Sequence, residues 1–257
     1  MGRLFIAARA IGSWRDRLAN PDLQWARKHS AFETAVSWES ASRAKSGSGI
    51  PAKIEQALGA QRFENPILLF AVAEHKVELE GDGHPSQCDV WAVVDTSLGA
   101  LSLTVEAKAA EPFGDKSLKQ WLKDGRSEEA KENRKVRWAH IRGNLPERGD
   151  GAYDEVRYQL LHRCAASVIE SRRLRYRHAA FVVQEFIEPN KNSEAVSTGA
   201  KRSKPDQNFE DFARFCSVVK ISAVRNSVAA TKVGDVSLNV GWVTCDFAAD
   251  REIADIA

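Results

Sequence analysis

The sequence predicts an α/β protein with a mixed central sheet flanked by helices and a helical extension at its N-terminus. Three observations lead there. Asp89-Val-Trp-Ala-Val-Val-Asp95 and Leu101-Ser-Leu-Thr-Val-Glu-Ala-Lys108 are strand-like runs joined by the turn Thr96-Ser-Leu-Gly-Ala100. From Glu155 to Glu170 apolar residues recur at helical spacing, with Tyr158, Leu161, Ala165 and Val168 as a core stripe and Leu160, Cys164 and Ser167 beside it. Ala179-Ala-Phe-Val-Val-Gln-Glu-Phe186 then forms a continuous apolar run, the pattern of a strand covered on both faces.

The elements follow in order. Residues 1–60 are expected to be mainly helical, with Trp14, Leu18, Leu23, Trp25, Phe32, Ala35 and Trp38 as apolar positions. Pro21 suits the first position of a helix. Ala44 to Gly49 is a flexible break, and Ile50-Pro51 opens the next helix. Residues 61–250 form the second unit. It opens with Phe63 to His75, where Ile67, Leu68, Phe70, Ala71 and Glu74 recur at helical spacing. That spacing predicts a helix with Glu74 facing inward near its end. Glu78 and Glu80 fall on the next segment, a candidate first strand. After the hairpin, Glu128, Glu129 and Glu132 stand near Lys131, Arg134 and Lys135 at the spacing of pairs on a helix face. Glu188 to Asp206 is polar and is expected to be a mobile loop. Phe209 to Phe215 predicts an amphipathic helix, Val236 to Val243 a late edge strand, and the acidic tail from Phe247 is expected to fray.

Composition bounds the class. The 257 residues are 43% hydrophobic and 28% charged, ordinary for a soluble globular protein, and the net charge is +2. Charge is uneven: Lys116 to Arg177 holds 16 Lys and Arg against 9 Asp and Glu. A local basic excess suits a phosphate polymer, and equally a solvated helical face. The four cysteines are far apart, so neither a zinc site nor a disulfide framework is indicated, and a cytoplasmic protein with reduced thiols is expected. There is no 18-residue apolar run, no signal peptide, no P-loop and no dinucleotide glycine pattern. Membrane spanning and ATP-driven chemistry are therefore not expected.

The hairpin carries the chemistry. Alternation along the second run puts Glu106 and Lys108 on one face with Ser102 and Thr104, and Leu101, Leu103, Val105 and Ala107 on the other. That predicts a half-buried strand with a polar face. A four-residue connection sets Asp89 opposite Glu106 or Lys108, whereas a three-residue one sets it against Ala107 and spoils the cluster. A four-residue loop is therefore expected, or a bulge that restores the facing. Two carboxylates and an ammonium at one hairpin end can hold a hard cation such as Mg²⁺, or Mn²⁺, beside a phosphate. The lysine would orient the attacking water or stabilise developing charge. The same triplet can also be a salt-bridged strand end.

Asp89 and Glu106-Ala-Lys108 resemble the PD-(D/E)XK nuclease superfamily, the restriction-endonuclease-like fold. Cys88 stands where that pattern carries a proline. Gly83 to Trp91, Val105 to Gly114 and Arg157 to Arg163 together resemble a poorly characterised prokaryotic branch of it, over roughly Trp14 to Trp242. The resemblance implies a restriction-endonuclease-like sheet, with Asp89 and Glu106 as metal ligands and Lys108 as the catalytic lysine. It implies a further acid before the hairpin, for which Glu74 is the candidate and Glu78 and Glu80 are competitors. It also implies that Gln159, on the later helix, reaches the site. Arg157 and Arg163 are candidate phosphate contacts, as are Lys201 and Arg202 in the polar loop; His162 lies near the same region. The implied activity is Mg²⁺-dependent endonucleolytic hydrolysis of phosphodiester bonds, in DNA by preference. Host defence against foreign DNA follows from the resemblance, with a homodimer or a partner protein of a defence system. A non-catalytic nucleic-acid-binding or assembly subunit of the same fold is the alternative, as is an RNA-directed nuclease.

Overall fold

Pro66 separates helix from sheet. Helix α4 (Ala52–Gln61) ends before it, and β1 (Ile67–Val77) begins directly after it. The helix expected over Phe63 to His75 is therefore a strand, and Glu74 sits on it. Proline cannot donate into a continuing helix. The short apolar run that follows has no intrinsic preference strong enough to resist a strand partner. That partner is β2 (Ser86–Asp95), paired antiparallel to β1.

The computed structural model describes residues 11–81, 83–188 and 204–249. Before α4 come α1 (Gly12–Arg15), α2 (Pro21–Gln24) and α3 (Ser30–Arg43). After β2 come β3 (Leu101–Lys108), α5 (Leu118–Lys123), α6 (Glu128–Arg142), α7 (Tyr158–Arg173) and β4 (His178–Ile187). The chain closes with α8 (Lys204–Val219), β5 (Ser227–Val233) and β6 (Val236–Asp246). Strand order is β1-β2-β3-β4-β6-β5. Pairs β1–β2, β2–β3 and β5–β6 are antiparallel, while β3–β4 and β4–β6 are parallel. A parallel neighbour demands a crossover, and α5, α6 and α7 lie within the one from β3 to β4. The mixed sheet flanked by helices is as expected. The late strand expected at the edge differs: it is β6, which lies inside the sheet, and β5 takes that edge. Residues 189–203, which hold Lys201 and Arg202, and residues 250–257 lie outside the described residues.

Helices cover both faces. Leu160, Leu161, Ala165 and Val168 of α7 pack against Phe181 and Val183 of β4, together with Phe212 and Phe215 of α8 and Trp242 of β6. On the other face Trp14, Trp38, Ile54 and Leu58 pack on Leu101, Leu103, Val105, Ala180 and Val182. The N-terminal helices thus form one of the two layers over the sheet. Leu23 departs from the expected apolar positions, being 70% exposed. All eight residues of β3 are buried. Its polar face is not solvated as expected, because α7 lies across it: Thr104 Oγ1 donates to the Arg163 carbonyl at 3.4 Å.

Among the described residues no helix is long and apolar enough to cross a membrane.

Candidate active site

The register of β2 on β3 runs from Val94 opposite Leu101 to Val90 opposite Val105. Asp89 and Glu106 are the next residues in line. That is the register of a four-residue connection, closed by Gly99 N donating to the Thr96 carbonyl at 3.0 Å. Asp89 Oδ2 accepts from the Ala107 backbone N–H at 2.6 Å, which ties the first carboxylate to the strand carrying the second.

Glu74 joins from β1. In the β1–β2 ladder Ala73 pairs with Val90 and His75 with Cys88, so Glu74 stands level with Asp89. Its φ is 54°. A non-glycine residue in that left-handed region costs about 1–2 kcal/mol. The phase of alternation changes there. Ala71 and Ala73 face the N-terminal helices, whereas His75 bonds Glu170 of α7 and Val77 packs with Ala166 of α7. Strand β2 changes phase at the same level: Val90, Ala92 and Val94 face the N-terminal helices, and Cys88 packs under α7. The two acids occupy the step at which both strands turn over.

Helix α7 supplies the rest. Gln159 and Arg163 are one helical turn apart and share a face. Gln159 Nε2 donates to Glu106 Oε1 at 2.6 Å, and Arg163 Nε to Glu106 Oε2 at 2.7 Å. Lys108 Nζ donates to Glu106 Oε1 at 2.8 Å, lies 3.4 Å from Gln159 Oε1, and sits 5.0 Å from the centre of the Phe113 ring. Gln87 Nε2 donates to Glu74 Oε2 at 2.7 Å. Glu74, Asp89, Glu106, Lys108, Gln159 and Arg163 all line one cavity.

The other sequence candidates lie elsewhere. Arg157 Nε donates to Asp211 Oδ2 of α8 at 2.8 Å, and its guanidinium also reaches the Asp115 carbonyl. His162 Nδ1 lies 2.8 Å from Ser86 Oγ, and burial with Arg163 and Arg137 nearby pushes its pKa well below the ordinary value. Glu78 and Glu80 are exposed residues past the end of β1, outside the cavity lining. Arg163, a candidate phosphate contact, lines the cavity and is bonded to Glu106. Nothing in the residue pattern pointed to Gln87 as the partner of Glu74.

The charges are unequal in fate. Burial acts to raise Glu106, but Lys108 and Arg163 and their hydrogen bonds outweigh it and hold its carboxyl below the usual range. Burial pushes Asp89 well above its usual value, and the neighbouring Glu106 and Glu74 push it further. Burial lifts Glu74 to about 7, against the hydrogen bond from Gln87. Buried carboxylates that repel one another in this way are a destabilised group that a cation would relieve.

A divalent cation fits this donor set. Among the described residues no three His, Cys, Asp or Glu side chains are already arranged as a cage. Mg²⁺, however, keeps several waters and needs only one or two carboxylates. Asp89 and Glu106 would hold it, with Glu74 beside them.

A stability test follows from Glu74. Its pKa of about 7 in the folded chain lies above the 4.5 of an unperturbed glutamate. The folded state therefore holds this proton more tightly. The associated stability is complete below about pH 4.5 and is lost as pH rises through about 7. Thermal melts without divalent metal should fall across that window by up to about 3 kcal/mol. Glu74→Gln keeps an acceptor for Gln87 and should flatten the fall. Identical pH slopes in the two proteins would rule Glu74 out as its source.

A family model described as Domain of unknown function (DUF6946) matches residues 7–247, and the chain belongs to that family. No curated protein and no solved structure matches the chain.

Proposed function

We propose, for this member of a family whose description carries no activity, a divalent-metal-dependent hydrolase of phosphodiester bonds in nucleic acid, with DNA as the first substrate to test. The observation that carries the reading is the meeting of Asp89, Glu106 and Lys108 at adjacent strand ends in one cavity, with Glu74 level with them. The restriction-endonuclease-like resemblance of the sequence supports it. Destruction of foreign DNA is the role that resemblance favours.

Asp89 and Glu106 would hold Mg²⁺ or Mn²⁺. When bound, the ion would polarise a phosphate oxygen and lower the pKa of bound water. Lys108 orients the attacking water and meets the charge growing on the phosphate. Its own position is fixed by Glu106, Gln159 and the Phe113 ring. Gln159 and Arg163 act on the reaction through Glu106, holding each of its oxygens in place. Asp89 is held by the Ala107 backbone N–H, so its geometry survives loss of its charge.

One observation favours the alternative of a non-catalytic nucleic-acid-binding or assembly module. Both Glu106 oxygens already accept bonds from protein donors, as in a structural ion-pair network. Cleavage assays separate the two. Labelled DNA and RNA are incubated with Mg²⁺ or Mn²⁺, with and without EDTA, using wild type and Lys108→Ala. Metal-dependent cutting that disappears in the variant is the expected result. Binding of nucleic acid by both proteins, with no cutting under any condition, would move the reading to the module.

A further inference from the structure

The acids stand in a cavity rather than on an open face. Its volume is about 690 Å³. Pockets for small organic ligands span about 300–1,000 Å³, so the space suits a nucleotide or two and not a double helix. Glu106 and Lys108 line it and are 2% and 4% exposed. A wall of it is chain from Leu18 to Ala31, which runs through α2 into the start of α3.

That wall is held in place. Arg15 pairs with Asp22 at 2.6 Å, the Lys28 backbone N–H donates to Glu33 Oε1 at 2.7 Å, and Trp25 packs edge-on against Phe32 at 5.3 Å between ring centres. It also presents a mixed surface. Leu23, 70% exposed, offers apolar area, while Gln24, His29 and Ser30 bring hydrogen-bonding groups to the same cavity. A base face needs the first and a base edge the second. A phosphate needs the lysine and cation site in the same cavity.

From this geometry we propose that the site selects an unpaired strand: single-stranded nucleic acid, or the single-stranded part of a duplex, enters between the Leu18–Ala31 wall and the carboxylates. The inference rests on the phosphodiesterase reading and narrows its substrate. Leu23 and its neighbours are binding residues in this scheme and do not touch the reacting atoms.

The test uses the full chain, Mg²⁺ or Mn²⁺, and one labelled sequence presented as single strand, as duplex, and as duplex with a single-stranded overhang. The single strand should be cut at least about tenfold faster than the duplex, and the third substrate within its overhang, because the cavity has room for a nucleotide and not for a duplex. Leu23→Asp, at an exposed position that leaves the core alone, should raise KM for the single strand about tenfold, because a charge in place of the leucine removes its apolar contact with a base. Metal-dependent cutting with no preference between single strand and duplex overturns the wall and leaves the phosphodiesterase reading standing. No cutting of any substrate defeats that reading. The wall is then judged by fluorescence anisotropy of the same oligonucleotides in EDTA. Tighter binding of the single strand that weakens in Leu23→Asp sustains strand selection; equal affinities overturn it.

Discussion

Asp89→Asn is expected to abolish cleavage, by about a thousandfold or more, while making the protein more stable above neutral pH. Both halves come from one residue's surroundings. The asparagine oxygen can still accept from the Ala107 N–H, so the β2–β3 register is kept. What disappears is a charge that would hold the cation, and losing such an electrostatic contact costs roughly 10²–10³ in rate or more. The stability gain follows from the sign of the pKa shift. Burial, Glu106 and Glu74 push Asp89 well above its ordinary value, so the folded protein is penalised once the group ionises. A neutral amide never meets that penalty. Turnover and thermal melts at about pH 8 without metal check both halves. Unchanged turnover would remove Asp89 from the site, and a lowered melting temperature would refute the repulsion. A gain in stability on losing a reactive carboxylate is the usual trade between activity and stability at functional sites.

Arg163→Met is expected to have the largest effect on folding. Arg163 Nε donates to Glu106 Oε2 at 2.7 Å, and Glu106 is 2% exposed. Removing one partner of a buried pair leaves a charge without its compensation, at about 3–5 kcal/mol. Lys108 and Gln159 remain on the other oxygen and soften the loss, so about 3 kcal/mol is expected from urea denaturation with the slope unchanged. Adding Glu106→Gln should recover part of it, because the orphaned carboxylate charge is then gone while Lys108 loses its partner. Additive losses in the double variant would mean that the two side chains do not act as a pair.

How much of this was legible in the sequence depended on the range of the determining interaction. The β2–β3 hairpin was legible because alternation and turn length are local; its register placed Asp89 in line with Glu106. The stripe on α7 was legible for the same reason. Glu74 was identified as a candidate acid, but on the wrong element. The run after Pro66 is short and apolar, and only its pairing with β2 makes it a strand. The burial of Ser102, Thr104, Glu106 and Lys108 was not legible either. Alternating polarity ordinarily marks a solvated face, and here a helix more than 50 residues later covers it. The same distance hid the pairing of Arg157 with Asp211 on α8. The wall from Leu18 to Ala31 left no sequence signal, since its place in one cavity with the acids is set by how the N-terminal helices pack on the sheet.

The connection between β3 and β4 has a kinetic consequence. Asp89 and Ala107 are 18 residues apart, a contact a hairpin can make early. Glu106 and Arg163 are 57 residues apart, and Glu106 and Gln159 are 53. Contacts that close long loops form late, because the chain loses entropy before they reward it. On refolding, the acids are therefore aligned before α7 clamps Glu106. If the proposed cleavage is found, its recovery would time the docking of α7 rather than the appearance of strand structure.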